Sequence, residues 1–247
     1  MRWYGLMYVF GFVSSYLLAT YQLKKKKFNI TKDQLDDLYF YLIIGLIVGA
    51  RLGYVIFYNL VYYLQNPLEI LVVWHGGMSF HGGLIGTFLA GYIFIRRKKL
   101  SFLNIVDLMI PTCPLGLMFG RIGNFINGEL FGRPSDMPWA MIFPQGGNIP
   151  RHPSQLYEAF FEGILLFIII WFYKDRKKRE GDVLAVFLVL YGIFRIFCEL
   201  FREPDLPYGY ILGFLSMGQA LSAAMIIAGL LLKFVYLPGV KDNKGRS

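Results

Sequence analysis

The chain is 247 residues long, 56% hydrophobic and only 17% charged, with a mean hydropathy of +0.49. A soluble domain of this size is nearer half apolar and a quarter charged, so that class is excluded; the apolar residues come in runs of about 20, enough to cross a bilayer. The formal net charge of +9 does not point to nucleic acid, because eighteen of the 25 Lys and Arg lie in four clusters at alternate ends of apolar runs.

Seven spans are predicted, all helical. The first, 3–22, is followed rather than preceded by Lys24 to Lys27, which is the order of a span and not of a cleaved signal. The second, 38–60, carries Arg51 and the series Gly45, Gly49, Gly53, whose spacing predicts close helix packing. The third, 78–95, is entered through Trp74-His-Gly-Gly-Met-Ser-Phe-His-Gly-Gly83. Two Gly-Gly pairs there let backbone approach a ligand, and they flank His81, which is either a base near neutral pH or a structural histidine. His75 reads as interfacial. The span closes on the cluster Arg96 to Lys99.

The fourth span, 102–120, contains Asp107 and the pair Gly116 and Gly120, read like the earlier glycines as packing residues. It leads into Gly120-Arg-Ile-Gly-Asn-Phe-Ile-Asn-Gly-Glu-Leu-Phe-Gly-Arg133, the densest polar stretch in the chain. Arg121, Asn124 and Asn127 recur every three residues and form a polar stripe if the helix continues. Arginine offers a planar donor fork to phosphate, and asparagine binds ester or glycerol oxygens. The alternative is a glycine-rich turn with capping asparagines.

The fifth span, 155–173, is opened by Arg151-His-Pro-Ser-Gln-Leu-Tyr-Glu158, where Pro153, Ser154 and Gln155 read as N-terminal capping. Glu158 and Glu162 follow at i and i+4. The sixth, 182–201, places Arg195, Glu199 and Arg202 on one stripe before Pro204 ends the helix. The seventh, 211–232, runs into Lys233 and a basic tail.

Basic clusters kept inside give an N-terminus outside and a C-terminus in the cytoplasm. The longer segments, 61–77 and 121–154, then lie outside as a small head on a single seven-span domain, 1–247. Ionisable groups in a bilayer are costly and mark cavities, partners or substrates. Arg51, Asp107, Arg121, Glu158, Glu162, Arg195 and Glu199 are such groups, and all but one fall in the outer half of their spans, as one polar cavity open to the outer leaflet would require. A channel or transporter would show midplane polar groups or internal repeats, and neither is present. Two cysteines, each within an apolar run, exclude a disulfide framework, and three histidines with no Cys/His cluster argue against a metal site.

The run GRIGNFINGELFGR at 120–133 resembles the signature of the prolipoprotein diacylglyceryl transferases almost residue for residue. WYGLMY at 3–8, GARLGYVIFY at 49–58, GGMSFHGGLIG at 76–86, HPSQLYE at 152–158 and YGIFRIFCELFREPD at 191–205 resemble further family blocks in family order. Phe131 replaces the Trp of some members. The resemblance implies an enzyme of the bacterial cytoplasmic (inner) membrane that needs neither metal nor organic cofactor. It implies transfer of the diacylglyceryl group of phosphatidylglycerol to the lipobox cysteine of a preprolipoprotein signal peptide, forming a thioether and releasing glycerol phosphate. Carried over by position, the family's important residues are Tyr4, His81, Arg121, Asn124, Glu129, Gly132, Arg195 and Glu199. His81 is then the first candidate base, with Glu129 or Glu199 next. Arg121 and Arg195 are candidates for holding phosphate, Glu199 for orienting Arg195, and Asn124 and Tyr4 for holding the headgroup.

Overall fold

The computed structural model describes residues 3–25, 28–203, 210–211 and 215–239, apart from the side chains of Tyr4, His75, Tyr210, Ile211 and Leu215. The described residues form helices α1 (Trp3–Lys25), α2 (Lys32–Tyr58), α3 (Leu60–Gln65), α4 (Phe80–Arg97), α5 (Phe102–Asn127), α6 (Ser154–Tyr173), α7 (Asp182–Glu199) and α8 (Met217–Gly239). A two-residue antiparallel ribbon pairs Tyr210 with Ser216 and Ile211 with Leu215.

Each predicted span coincides with a helix among the described residues, the seventh beginning at Met217 rather than at 211. Five of them, in α1, α2, α5, α6 and α8, are long and apolar enough to cross a membrane. The other two, α4 and α7, have 18 residues each, about 27 Å of helix. They differ in the polar residues they carry: α4 holds His81, Arg96 and Arg97, and α7 holds Asp182, Arg195 and Glu199. Large apolar side chains such as Phe57, Phe88, Phe172 and Phe234 stay exposed on the helices, as they would facing hydrocarbon.

Caps fix where the helices begin. Thr31 with Gln34, and Ser216 with Gln219, each form a reciprocal capping box at the starts of α2 and α8. Ser79 accepts the Gly82 N–H at the start of α4. Pro111 interrupts α5 with one turn of 3-10 helix, and α6 contains a π-helical segment, Ala159–Leu165.

The chain divides into two compact units, residues 26–105 and residues 1–25 with 106–247. In the first, α2 and α4 meet along the predicted glycine seam. A Cβ on Gly53 would lie 2.7 Å from Gly82 Cα, and one on Gly49 the same distance from Gly86 Cα. The second glycine pair is different: among the described residues a Cβ on Gly116 or Gly120 would meet nothing within 4 Å, although a Cβ on Gly11 would lie 3.4 Å from Gly116 Cα.

Arg51 also departs from expectation. It is buried and donates to the carbonyls of Glu69, Ile70, Val72, Gly76 and Gly77, at 2.6 to 3.1 Å. Its guanidinium is spent on folding the 66–77 segment, which removes it from the predicted polar cavity.

In the second unit α1 packs on α5, and α6 and α8 flank α7. Leu166, Ile170, Val183 and Phe187 form its apolar centre. Polar contacts stitch α1 to α5: Ser15 Oγ lies 2.6 Å from Thr112 Oγ1, and Gln22 Nε2 donates to the Leu108 carbonyl at 3.1 Å. Asp107 belongs to neither cavity nor cluster. It accepts from Lys177 Nζ and Gly181 N–H, each at 2.9 Å, and pins the turn between α6 and α7. Fourteen residues of α5 separate it from Arg121, about 20 Å of helix.

Candidate active site

The end of α5 is set by Gly128, whose φ of 68° is left-handed and suits glycine. The Gly128 N–H bonds the Phe125 carbonyl and the Glu129 N–H bonds the Asn124 carbonyl, each at 3.0 Å, closing the helix in a Schellman turn. Both sequence alternatives are thus present, a helical polar stripe and a glycine turn that ends it. Arg121 and Asn124 lie one turn apart on that last stretch, with Asn124 buried.

Residues 129–152 form an ordered head. The Gly132 N–H bonds the His152 carbonyl and the Arg133 N–H bonds that of Phe201, each at 2.9 Å. A Cβ on Gly132 would collide with the carbonyls of Phe201 and His152, so the backbone approach itself demands glycine there. Arg151 lies over the Phe131 ring and pairs with Glu203 at 2.6 Å. Ser154 and Gln155 do not cap α6. The Ser154 hydroxyl donates to the Leu130 carbonyl at 3.2 Å and Gln155 Nε2 to that of Glu129 at 2.7 Å. They moor the signature loop to the start of α6.

Beneath that loop three helices bring charges together. Glu158 Oε2 lies 2.7 Å from Arg121 Nε, 2.7 Å from Arg195 Nη1 and 3.7 Å from Arg202 Nη1. Glu162 is 3.4 Å from Arg195 Nη1 and 3.9 Å from Arg121 Nη2. Arg195 Nη2 reaches Glu199 Oε2 at 3.0 Å. The ion pair of Arg195 with Glu199, neighbours at i and i+4, forms one edge of a larger cluster. Exposure is graded: the side chains of Arg121 and Arg195 are 18% and 12% exposed, those of Glu158 and Glu162 at most 1%. The arginine side chains are thus part-buried, and the two carboxylates between them are fully buried.

Glu199 is fixed from behind. Ser216 Oγ donates to its Oε1 at 3.0 Å, and its carboxyl group packs on Gly218, where a Cβ would come within 2.8 Å. The carboxylate thus rests against the N-terminus of α8, where partial positive charge favours it.

His81 lies on the first turn of α4, exposed and edge-on to Phe80. It belongs to residues 26–105, whereas Arg121, Asn124, Glu129, Gly132, Arg195 and Glu199 all belong to the other unit. The side chains of Tyr4 and His75 lie outside the described residues, as does Pro204. Glu158, Glu162 and Arg202 are visible in the sequence as charges within or at the ends of spans, but no local pattern assigns them roles. Ser216 and Gly218 carry a weaker signal, the capping box that Ser216 forms with Gln219 ahead of an apolar run.

The family model for prolipoprotein diacylglyceryl transferase matches residues 1–235. The chain belongs to the prolipoprotein diacylglyceryl transferase family. Among similar proteins, one from Desulfotalea psychrophila is 52% identical over 240 residues, covering 95% of this chain and 88% of the relative. One from Bordetella avium is 53% identical over 234 residues, covering 94% and 89%, and one from Nitrosomonas europaea is 52% identical over 236 residues, covering 95% and 85%. All three are named phosphatidylglycerol–prolipoprotein diacylglyceryl transferase. Residues 120–133 of this chain form the end of α5 and the loop moored to the start of α6.

Proposed function

We propose that the chain transfers the diacylglyceryl group of phosphatidylglycerol to the lipobox cysteine of preprolipoproteins, the first step of lipoprotein maturation. The observation that carries this reading is the convergence of Arg121 and Arg195 on one oxygen of Glu158, with both arginine side chains more exposed than the carboxylate they share.

The chemistry asks for that arrangement. The cysteine thiol loses its proton to a base, and its sulfur attacks the glycerol carbon that bears the phosphate ester. A carbon–sulfur bond forms, the carbon–oxygen bond breaks, and the electron pair leaves on glycerol phosphate. Negative charge accumulates on phosphate oxygens, where preorganised donors in a poorly solvated site act most strongly. Arg121 and Arg195 supply those donors, and Glu199, clamped by Ser216, orients Arg195. Asn124 and Tyr4 hold the headgroup, and Glu129 and Gly132 shape the loop above it. Because both Glu199 oxygens already have partners in Arg195 and Ser216, His81 is the better proton acceptor.

The chain acts as one seven-span domain in the cytoplasmic membrane, with the N-terminus and the signature loop outside. The basic clusters support that orientation. Purified protein, given phosphatidylglycerol labelled in its acyl chains and a lipobox peptide, should transfer label to the peptide cysteine. No transfer to the cysteine, with transfer by an active relative in the same assay, would remove the proposal.

A further inference from the structure

The part-buried arginines rest on a fully buried counter-charge, and its geometry is specific. Arg121 comes from α5 and Arg195 from α7, yet both reach the same oxygen of Glu158 on α6, each at 2.7 Å. Arg202 approaches that oxygen at 3.7 Å. Two guanidinium groups sharing one oxygen atom have a fixed separation, set by α6 rather than by either arginine's own helix. The π-helical segment Ala159–Leu165 begins directly after Glu158 and carries Glu162 beside the same pair of arginines. Three arginines and three glutamates, Glu158, Glu162 and Glu199, then balance formally.

Taking the phosphate role of the arginines from the proposed function, we propose that Glu158 is the positioning residue of the clamp. It sets the spacing of Arg121 and Arg195, and with Glu162 it offsets enough of their charge for the phosphate product to leave. Without such a counter-charge, three guanidinium groups in a poorly solvated site would hold a released phosphate monoester, which carries close to two negative charges, more strongly than the singly charged diester of the substrate. With it, the clamp grips the charge that develops during bond breaking and still lets glycerol phosphate go. Glu158 touches only the arginines in this scheme, and neither bonds to substrate nor moves a proton.

The test uses purified full-length protein, phosphatidylglycerol, a lipobox peptide and glycerol 1-phosphate as inhibitor. Glu158→Gln keeps the shape and removes the charge. It should lower kcat at least tenfold, leave KM for phosphatidylglycerol unchanged or lower, and tighten inhibition by glycerol 1-phosphate roughly five- to fiftyfold, as one missing charge a few ångströms away would. Glu158→Asp keeps the charge but retracts it, so kcat should stay low while inhibition returns toward wild type. Glu162→Gln leaves the shared oxygen in place, so it should tighten inhibition with a smaller loss of kcat.

A merely structural brace predicts the opposite pattern for Glu158→Gln, a raised KM and weaker inhibition, and that result would overturn the inference. Unchanged kcat in Glu158→Gln would overturn the spacing role. If Glu158→Gln does not fold, Glu162→Gln still decides the counter-charge, and unchanged inhibition there rejects it. Wild-type protein that transfers label while neither glutamine variant shifts inhibition would sink this inference alone. Wild-type protein that transfers no label would sink the proposed function, and glycerol 1-phosphate binding measured directly would still read the charge balance.

Discussion

Gly218 and Glu199 are in direct contact: a Cβ on Gly218 would come within 2.8 Å of the Glu199 carboxyl carbon and both its oxygens. Glu199 cannot swing away freely, because it is buried, bonded to Ser216 Oγ at 3.0 Å and paired with Arg195 at 3.0 Å. Gly218→Ala should therefore push the carboxylate off Arg195 rather than unfold α8, since alanine is the better helix former. Transfer should fall roughly tenfold or more, as for loss of one oriented charged group, with thermal stability close to wild type. Equal losses of activity and folded protein would show that the contact serves packing only.

The arginines themselves should be less forgiving. Arg121→Ala and Arg195→Ala should each lower transfer by about tenfold to a hundredfold, as removal of one transition-state donor does. Lysine at either position keeps charge but loses the planar fork, so it should rescue poorly. Wild-type rates in both folded alanine variants would end the phosphate assignment.

Glycines with the same spacing should respond differently. Gly49→Ala forces a Cβ against the backbone of Gly82 and Gly86, which cannot yield as a side-chain tip can. The expected cost is about 1–3 kcal/mol, typical of overpacking, read as a lowered unfolding temperature in detergent. Gly116→Ala meets no described atom within 4 Å and should be neutral or slightly stabilising. A matching loss in both variants would contradict the seam.

Those glycines also mark what the sequence could and could not disclose. The i, i+4 spacing of Gly45, Gly49 and Gly53 and that of Gly116 and Gly120 look alike along the chain, because spacing identifies a helix face but not what lies opposite it. Helices and family blocks were legible because apolar runs, caps and motifs are local. The link from Ser216 to Glu199 was not, because it spans 17 residues and depends on how the chain returns after α7. Arg51 looked like a cavity residue for the same reason. Its five carbonyl partners come from irregular turns whose backbone directions no local pattern specifies. Arg121 and Arg195 stood out as charges within spans, but their convergence on Glu158 required three helices to be placed.

Orientation rests on the basic clusters and has a direct readout. A reporter active only outside the cytoplasmic membrane should work when fused near residue 145, in the ordered head, and fail near residue 98 or 177. Activity at 98 or 177 would reverse the orientation and put the arginine cluster on the wrong side for an outer-leaflet substrate.

The proton acceptor is decided by pH. His81→Gln retains some hydrogen bonding but cannot take up the thiol proton, so the rate at neutral pH should fall. A free thiol ionises near pH 8.5 and needs progressively less help as the medium approaches that value. The deficit of the variant relative to wild type should therefore shrink as pH rises, when both are measured at saturating lipid. A histidine that only braces the flanking glycines would give a deficit independent of pH, accompanied by weaker lipid binding or lower stability. Glu129 would then inherit the role ahead of Glu199, whose two oxygens are already committed to Arg195 and Ser216. Glu129→Gln, carried through the same pH series, should show the shrinking deficit in that case and not otherwise.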